Sequence, residues 1–277
     1  VTDYGSAIFI DTSVQLLRFI GNKDVKASID SRLSGYGFSV TSLVVRQEFK
    51  RRFLTDVRYV RTALEKNEFD TSETLRYINA KLSSPHNRRK LSICLNVLAS
   101  TGFNGHDLPD MGEKCHLMLS RWEDFGLDLF DASVGQVVRY SGCGCGASTT
   151  LGPTKCSVIK TCKINEFIRS RQDQSECILD FLKNATSPSK TAEIQKAEAT
   201  LNGWLNTGTL PDSDNPCLTV GDLIIALESE GIPAFYTQNA RESQFLCSAQ
   251  EQTMIVQRND GDEVRLAADR AHWPAYS

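Results

Sequence analysis

The 277-residue chain is long enough to bury a large core and to hold one elaborated domain or two. A formal net charge of −3 argues against a protein that grips nucleic acid by overall basicity, and no run of about 18 apolar residues marks a membrane span. Nine cysteines, an odd number, without a basic and then apolar leader, read as thiols or metal ligands rather than disulfides, so a cytoplasmic setting is expected.

Ala7-Ile8-Phe9-Ile10 is a short, fully apolar run between Ser6 and Asp11, which suits a buried parallel strand. Ser13 is placed to cap a helix through Ile20, with Gly21-Asn22 ending it. A second short strand is expected at 38–40, after which Ser42 opens a long helix. Val45, Phe49, Phe53, Val57 and Val60 recur there at three- and four-residue spacing and mark its buried face. Glu48 adjoins this stripe and is expected to point toward the sheet edge. Further helices are predicted at 71–82, 89–100, 112–125, 131–139, 164–184 and 191–206. Proline and small polar residues at 187–189 and 211–216 read as connectors.

Asp11, Glu48, Asp222 and Asn239 each fall where a strand is expected to end or a helix to begin. In an α/β sheet such positions converge on one crevice at the carboxyl ends of the strands. Carboxylates gathered there repel by roughly 3 kcal/mol per pair at about 5 Å, with an effective dielectric near 20. A hard divalent cation would relieve that repulsion.

Charge is unevenly placed along the chain. Arg46, Lys50, Arg51, Arg52, Arg58 and Arg61 outnumber Glu48 and Asp56 over 46–61, whereas 211–230 carries Asp212, Asp214, Asp222, Glu228 and Glu230 with no basic residue. That division suits an acidic metal pocket flanked by a basic track for phosphates, in which Arg46 and Arg52 are candidate contacts. The bland alternative is a set of solvated helix faces.

A second chemical signal is Cys143-Gly144-Cys145 followed by Cys156 and Cys162. Four thiolates in this loop, 142–163, would suit a closed tetrahedral structural zinc site, against the alternative of ordinary reduced cysteines. Cys115 sits in a helical pattern with Leu119 and Trp122 and reads as core. Cys94, Cys177, Cys217 and Cys247 are isolated and read as small buried hydrophobes. Asp11-Thr12-Ser13 lacks the second Asp, two residues on, that a haloacid-dehalogenase-like phosphotransferase needs. No phosphate loop or dinucleotide fingerprint is present.

The chain resembles the PIN-domain nucleases in a strand ending in Asp11-Thr12-Ser13, in Glu48 on the second helical segment, and in Gly221-Asp222-Leu223-Ile224-Ile225-Ala226-Leu227-Glu228. The likeness continues through Gly231, Phe235-Tyr236-Thr237-Gln238-Asn239-Ala240-Arg241-Glu242 and Phe245. It covers roughly 6–55 and 216–257. The resemblance implies a three-layer α/β/α fold with a central parallel sheet, formed by 1–55 with 216–277 and elaborated by a mostly helical insertion at 56–215.

It also implies a metal-dependent endoribonuclease holding Mg²⁺ or Mn²⁺ at Asp11, Glu48 and Asp222, with products bearing a 5′ phosphate and a 3′ hydroxyl. Asn239 stands where Asp is common in the family, with Glu242 three residues on, so either completes the site. Thr12, Ser13 and Thr237 are expected to orient the carboxylates or touch phosphate. The partner expected is single-stranded or structured RNA. A small antitoxin would accompany a toxin-like nuclease, although the insertion is unlike compact toxins. The competing expectation is a PIN-like module that has lost catalysis and binds RNA or protein, with the zinc loop as a structural staple.

Overall fold

The computed structural model describes residues 5–80, 90, 93, 96, 108–133, 137–139, 142–147, 163–184, 192–208, 220–258 and 263–266, apart from the side chains of 108–110, 133, 137–139, 192–194, 241–242 and 263–266. The strands are β1 (Ala7–Ile10), β2 (Phe38–Ser42), β3 (Val137–Arg139), β4 (Ala234–Thr237), β5 (Thr253–Gln257) and β6 (Glu263–Leu266). They form one sheet in the order β3-β2-β1-β4-β5-β6. The four central strands are all parallel, β3 adds a parallel edge, and β6 closes the other edge antiparallel to β5.

Burial on both faces follows from the alternation of side chains along each strand. In β1, Ala7 and Phe9 face one apolar cluster while Ile8 and Ile10 face another. Phe9 stacks on Phe235 of β4 at 5.3 Å. The second cluster is covered by Val14 and Leu17 of α1 (Thr12–Ile20) and by Val25 and Ile29 of α2 (Lys23–Ser34).

Asp11, rather than Ser13, caps α1, and Gly21 ends it. Asn22 then caps α2 through the Val25 amide at 2.8 Å, a helix that the sequence reading left out. Ser42 caps α3 (Leu43–Phe49) as expected, accepting from the Val45 amide at 3.2 Å. The helical run continues through a π-helical turn, Lys50–Leu54, into α4 (Thr55–Lys66).

Helices α5 (Thr71–Asn79), α6 (Leu108–Ser133), α7 (Gly144–Ala147), α8 (Ile164–Arg169), α9 (Gln172–Asn184) and α10 (Ala192–Thr207) follow. The expected helix at 131–139 is corrected: α6 ends at Ser133, and Val137–Arg139 pairs with β2 as an edge strand. Two adjacent β-branched valines fit a pleated strand better than a helix. Helix α11 (Gly221–Glu228) leads back to β4, and α12 (Ala240–Ala249) joins β4 to β5.

The described part of 56–215 shares a single apolar cluster with the sheet. Phe19, Phe49, Phe53 and Phe130 meet at centroid distances of 4.9 to 5.0 Å, and Trp122 lies 5.5 Å from Phe53. Each such pair adds about 0.5–1.5 kcal/mol beyond area burial. Phe130 and Trp122 of α6 are therefore fastened to Phe49 of α3 and Phe53 of the π-helical turn, which pack in turn on Phe19 of α1. Among the described residues, no helix is long and apolar enough to cross a membrane.

Candidate active site

Strand order reverses at β1, with β2 on one side and β4 on the other, which makes the carboxyl ends of β1 and β4 the expected crevice. Asp11 leaves the end of β1 there, its amide donating to the Tyr236 carbonyl at 3.0 Å. Its carboxylate is nearly buried, and its hydrogen bonds among the described residues fall on Oδ2. The Ser13 hydroxyl donates at 2.7 Å, the Thr237 hydroxyl at 2.9 Å, and the Ser13 amide at 3.5 Å.

These hydroxyls are themselves held. Ser13 Oγ accepts from the Gln238 amide at 2.8 Å, and Thr237 Oγ1 accepts from the Asn239 amide at 2.9 Å. The Ser243 hydroxyl reaches Thr237 Oγ1 at 3.4 Å. The carboxylate of one strand end is thus oriented by the strand end beside it.

Glu48 comes from α3 and is also nearly buried. Thr12 donates its hydroxyl to Glu48 Oε2 at 2.7 Å, while Arg52, one turn on, lies 3.6 Å from Oε1. Burial is the largest influence on Glu48 and pushes its carboxyl above the ordinary range. Arg52 opposes the shift, the nearby Asp11 charge adds to it, and Thr12 and Arg51 oppose it more weakly. Asp11 and Glu48 are thus electrostatic neighbours brought from separate elements.

Asp222, in the first turn of α11, is exposed and lines one cleft with Asp11. The preceding Gly221 is packed against Glu48: a Cβ there would stand 3.2 Å from Glu48 Oε1. Phe235, Ser243, Leu246 and Cys247 help form the cleft wall. Burial pushes the Cys247 thiol far up, and Asp11 adds to the shift, so this residue presents a neutral thiol.

Asn239 stands at the start of α12 beside Thr237, half-buried. Glu242 lies in the same helix, and its side chain is outside the described residues. Among the described residues, no group of three or more His, Cys, Asp or Glu side chains is gathered closely enough to hold a metal ion. Asp11 and Glu48 are nearly buried carboxylates, and Asp222 is an exposed one on the same cleft as Asp11.

The expected basic track is largely engaged elsewhere. Arg46, expected to touch substrate, is buried and forks onto Asp131 at 2.8 and 2.9 Å while donating to the Gly146 carbonyl at 2.5 Å. Lys50 donates to the Cys145 carbonyl at 2.7 Å. Burial, and then Arg46, lower the Lys50 ammonium from its ordinary range. Arg58 and Arg61 both donate to Glu123, at 2.6 and 2.8 Å. Arg46 and Lys50 thus tie the start of the α3–α4 run to α6 and α7, and Arg58 and Arg61 tie α4 to α6. Arg52 keeps an exposed face next to Glu48.

Cys143 is buried and accepts from the Gly146 amide at 3.3 Å, while Cys145 is half-buried. Cys156 and Cys162 lie outside the described residues. Lys163, the neighbour of Cys162 in sequence, donates its amide to the Gly142 carbonyl at 2.9 Å. Gly142 adopts φ of +80, a left-handed conformation that favours glycine. Cys177, expected to be buried, is exposed.

Gln15 was missed by sequence reasoning. It is fully buried on α1, one turn after Thr12, and among the described residues neither of its amide atoms has a hydrogen-bond partner. The signal was a lone amide on the otherwise apolar side of a short helix.

No protein-family model matches the chain, and comparisons with curated proteins and with solved structures return no significant similarity.

Proposed function

We propose that the chain is a metal-dependent endoribonuclease on a PIN-like three-layer α/β/α core. The observation that carries this reading is the pairing of Asp11 and Glu48. Both are buried acids delivered to the carboxyl edge of the sheet, each gripped by hydroxyls, with Asp222 on the same cleft. Burying two mutually repelling carboxylates is costly unless a cation is meant to lie between them.

Asp11, Glu48 and Asp222 would hold Mg²⁺ or Mn²⁺, with Asn239 or Glu242 completing the set. A bound cation supplies positive charge toward phosphate and a more acidic water. Thr12, Ser13 and Thr237 fix the direction of the carboxylate lone pairs. Arg52, exposed beside Glu48, is the cation best placed to meet a phosphate. The four cysteines at 143, 145, 156 and 162 would staple the insertion around zinc, supported by the Lys163–Gly142 closure.

The test is cleavage of labelled single-stranded RNA, with DNA alongside, in Mn²⁺, Mg²⁺ or chelator. Metal-dependent cutting lost in Asp11→Asn and Asp222→Asn supports the reading, and identical behaviour of wild type and variants opposes it. A second reading, a catalytically weak RNA- or protein-binding module, is favoured by the amide at Asn239 and by the spread of the three acids. Tight RNA binding in chelator without cleavage would select it.

A further inference from the structure

Helix α6 buries Cys115, Leu119 and Phe130 against the core, while the large exposed apolar side chains Leu117, Phe125 and Leu129 run along an i, i+4 ridge from its opposite side to its flank. Leu117 is 72% exposed and Phe125 54%, values that decide against a core role. With 100° per residue these three fall within a 120° arc, and they extend over about 18 Å of helix. An aligned apolar stripe of this kind marks a contact surface rather than scattered surface residues.

Interleaved charges indicate what covers it. Arg121 is exposed on the same face ahead of Asp124 and Asp128, with Lys114 two turns further toward the amino end. None of these four makes an ion pair among the described residues, unlike the neighbouring Glu123 and Asp131, which bind arginines of the core. Glu113, also exposed, lies at the edge of the face.

From Lys114 to Asp128 the two basic residues of this face precede the two acidic ones. Laid parallel on a copy of itself it sets like charges together, and laid antiparallel it sets Arg121 against the other copy's Asp124 and Asp128. The same antiparallel placement, about an axis near residue 123, brings Leu117 to the other Leu129 and Arg121 over the other Phe125. A two-fold contact requires this self-complementarity.

We propose that the exposed face of α6 is a self-docking surface on which α6 of a second copy of this chain lies antiparallel. Leu117, Phe125 and Leu129 supply the apolar seam, and Arg121 with Asp124 and Asp128 sets its direction. The proposal does not depend on the nuclease reading, since none of these residues touches the acidic cleft.

Sedimentation equilibrium of the full chain over a range of concentrations tests it, with far-UV circular dichroism reporting the fold. The expected wild-type species has twice the chain mass. Phe125→Glu weakens association at least about tenfold with an unchanged spectrum. Arg121→Asp weakens it likewise, and Arg121→Asp with Asp124→Arg and Asp128→Arg in one chain restores it, because the full exchange keeps opposite charges opposed. A wild type that is monomeric at about 100 µM, far above the Kd of a micromolar contact, overturns the proposal. So does a dimer indifferent to Phe125→Glu, or a full charge exchange that associates no better than Arg121→Asp alone.

Discussion

Thr237, the last residue of β4, donates its hydroxyl to the Asp11 carboxylate at 2.9 Å across 226 positions of chain. This bond joins the ends of two adjacent parallel strands and fixes which way the acid points. Thr237→Val keeps the shape and removes the donor, leaving Ser13 as the remaining hydroxyl on Oδ2. The expected loss is about 1 kcal/mol of stability, read by urea denaturation. On the nuclease reading, cation affinity or activity falls about 10- to 100-fold.

Glu48 predicts a pH dependence of definite sign. Its carboxyl is raised above 4.5 by burial first, so the folded protein holds this proton to higher pH than the unfolded chain does. Between the two values the folded state binds more protons, and stability falls as pH rises through that window. In chelator, Glu48→Gln should be more stable than wild type at neutral pH, with the gap closing as pH falls to the ordinary Glu value. Thermal melts across pH check this, and a variant less stable at every pH would contradict it.

Asp131→Asn leaves the buried Arg46 guanidinium without its carboxylate. The expected cost is about 3 kcal/mol, the low end for a broken buried pair because the Asp131 side chain is 44% exposed. Equilibrium denaturation measures it. A neutral result would mean that the arginine's remaining contacts, the Gly146 carbonyl among them, are enough to hold it.

How far the sequence could be read depends on how local each signal is. β1 with Asp11, the Ser42 cap and the apolar α11 behind Asp222 are written in contiguous residues, and they stand where the reading put them. The edge strand β3 is three residues long and pairs with a strand nearly a hundred positions earlier, so no periodicity could reveal it. α2 buries only Val25 and Ile29 among charged residues, too thin a stripe to mark a helix. The basic run looked like a phosphate track because its partners, Asp131 and Glu123, lie 85 and 65 or 62 positions away. Long-range ion pairs leave no mark on composition.

Gln15 gives a separate test, since a buried amide with no partner costs about 1–3 kcal/mol. Gln15→Met, of similar length, should raise stability by about 1 kcal/mol. If the melting temperature rises while RNA cleavage falls, the amide serves the neighbouring site through solvent or substrate. If both rise or stay level, it is a packing fault.

Mn²⁺ binding followed by electron paramagnetic resonance tests the acidic centre most directly, because it reads the cation without requiring a substrate. Wild type should take up Mn²⁺ and gain about 2.7 kcal/mol of stability at 100 times its Kd. Asp11→Asn and Glu48→Gln should each weaken binding by at least about tenfold. Equal Mn²⁺ affinity in wild type and both variants, or none in wild type at millimolar Mn²⁺, would contradict the account.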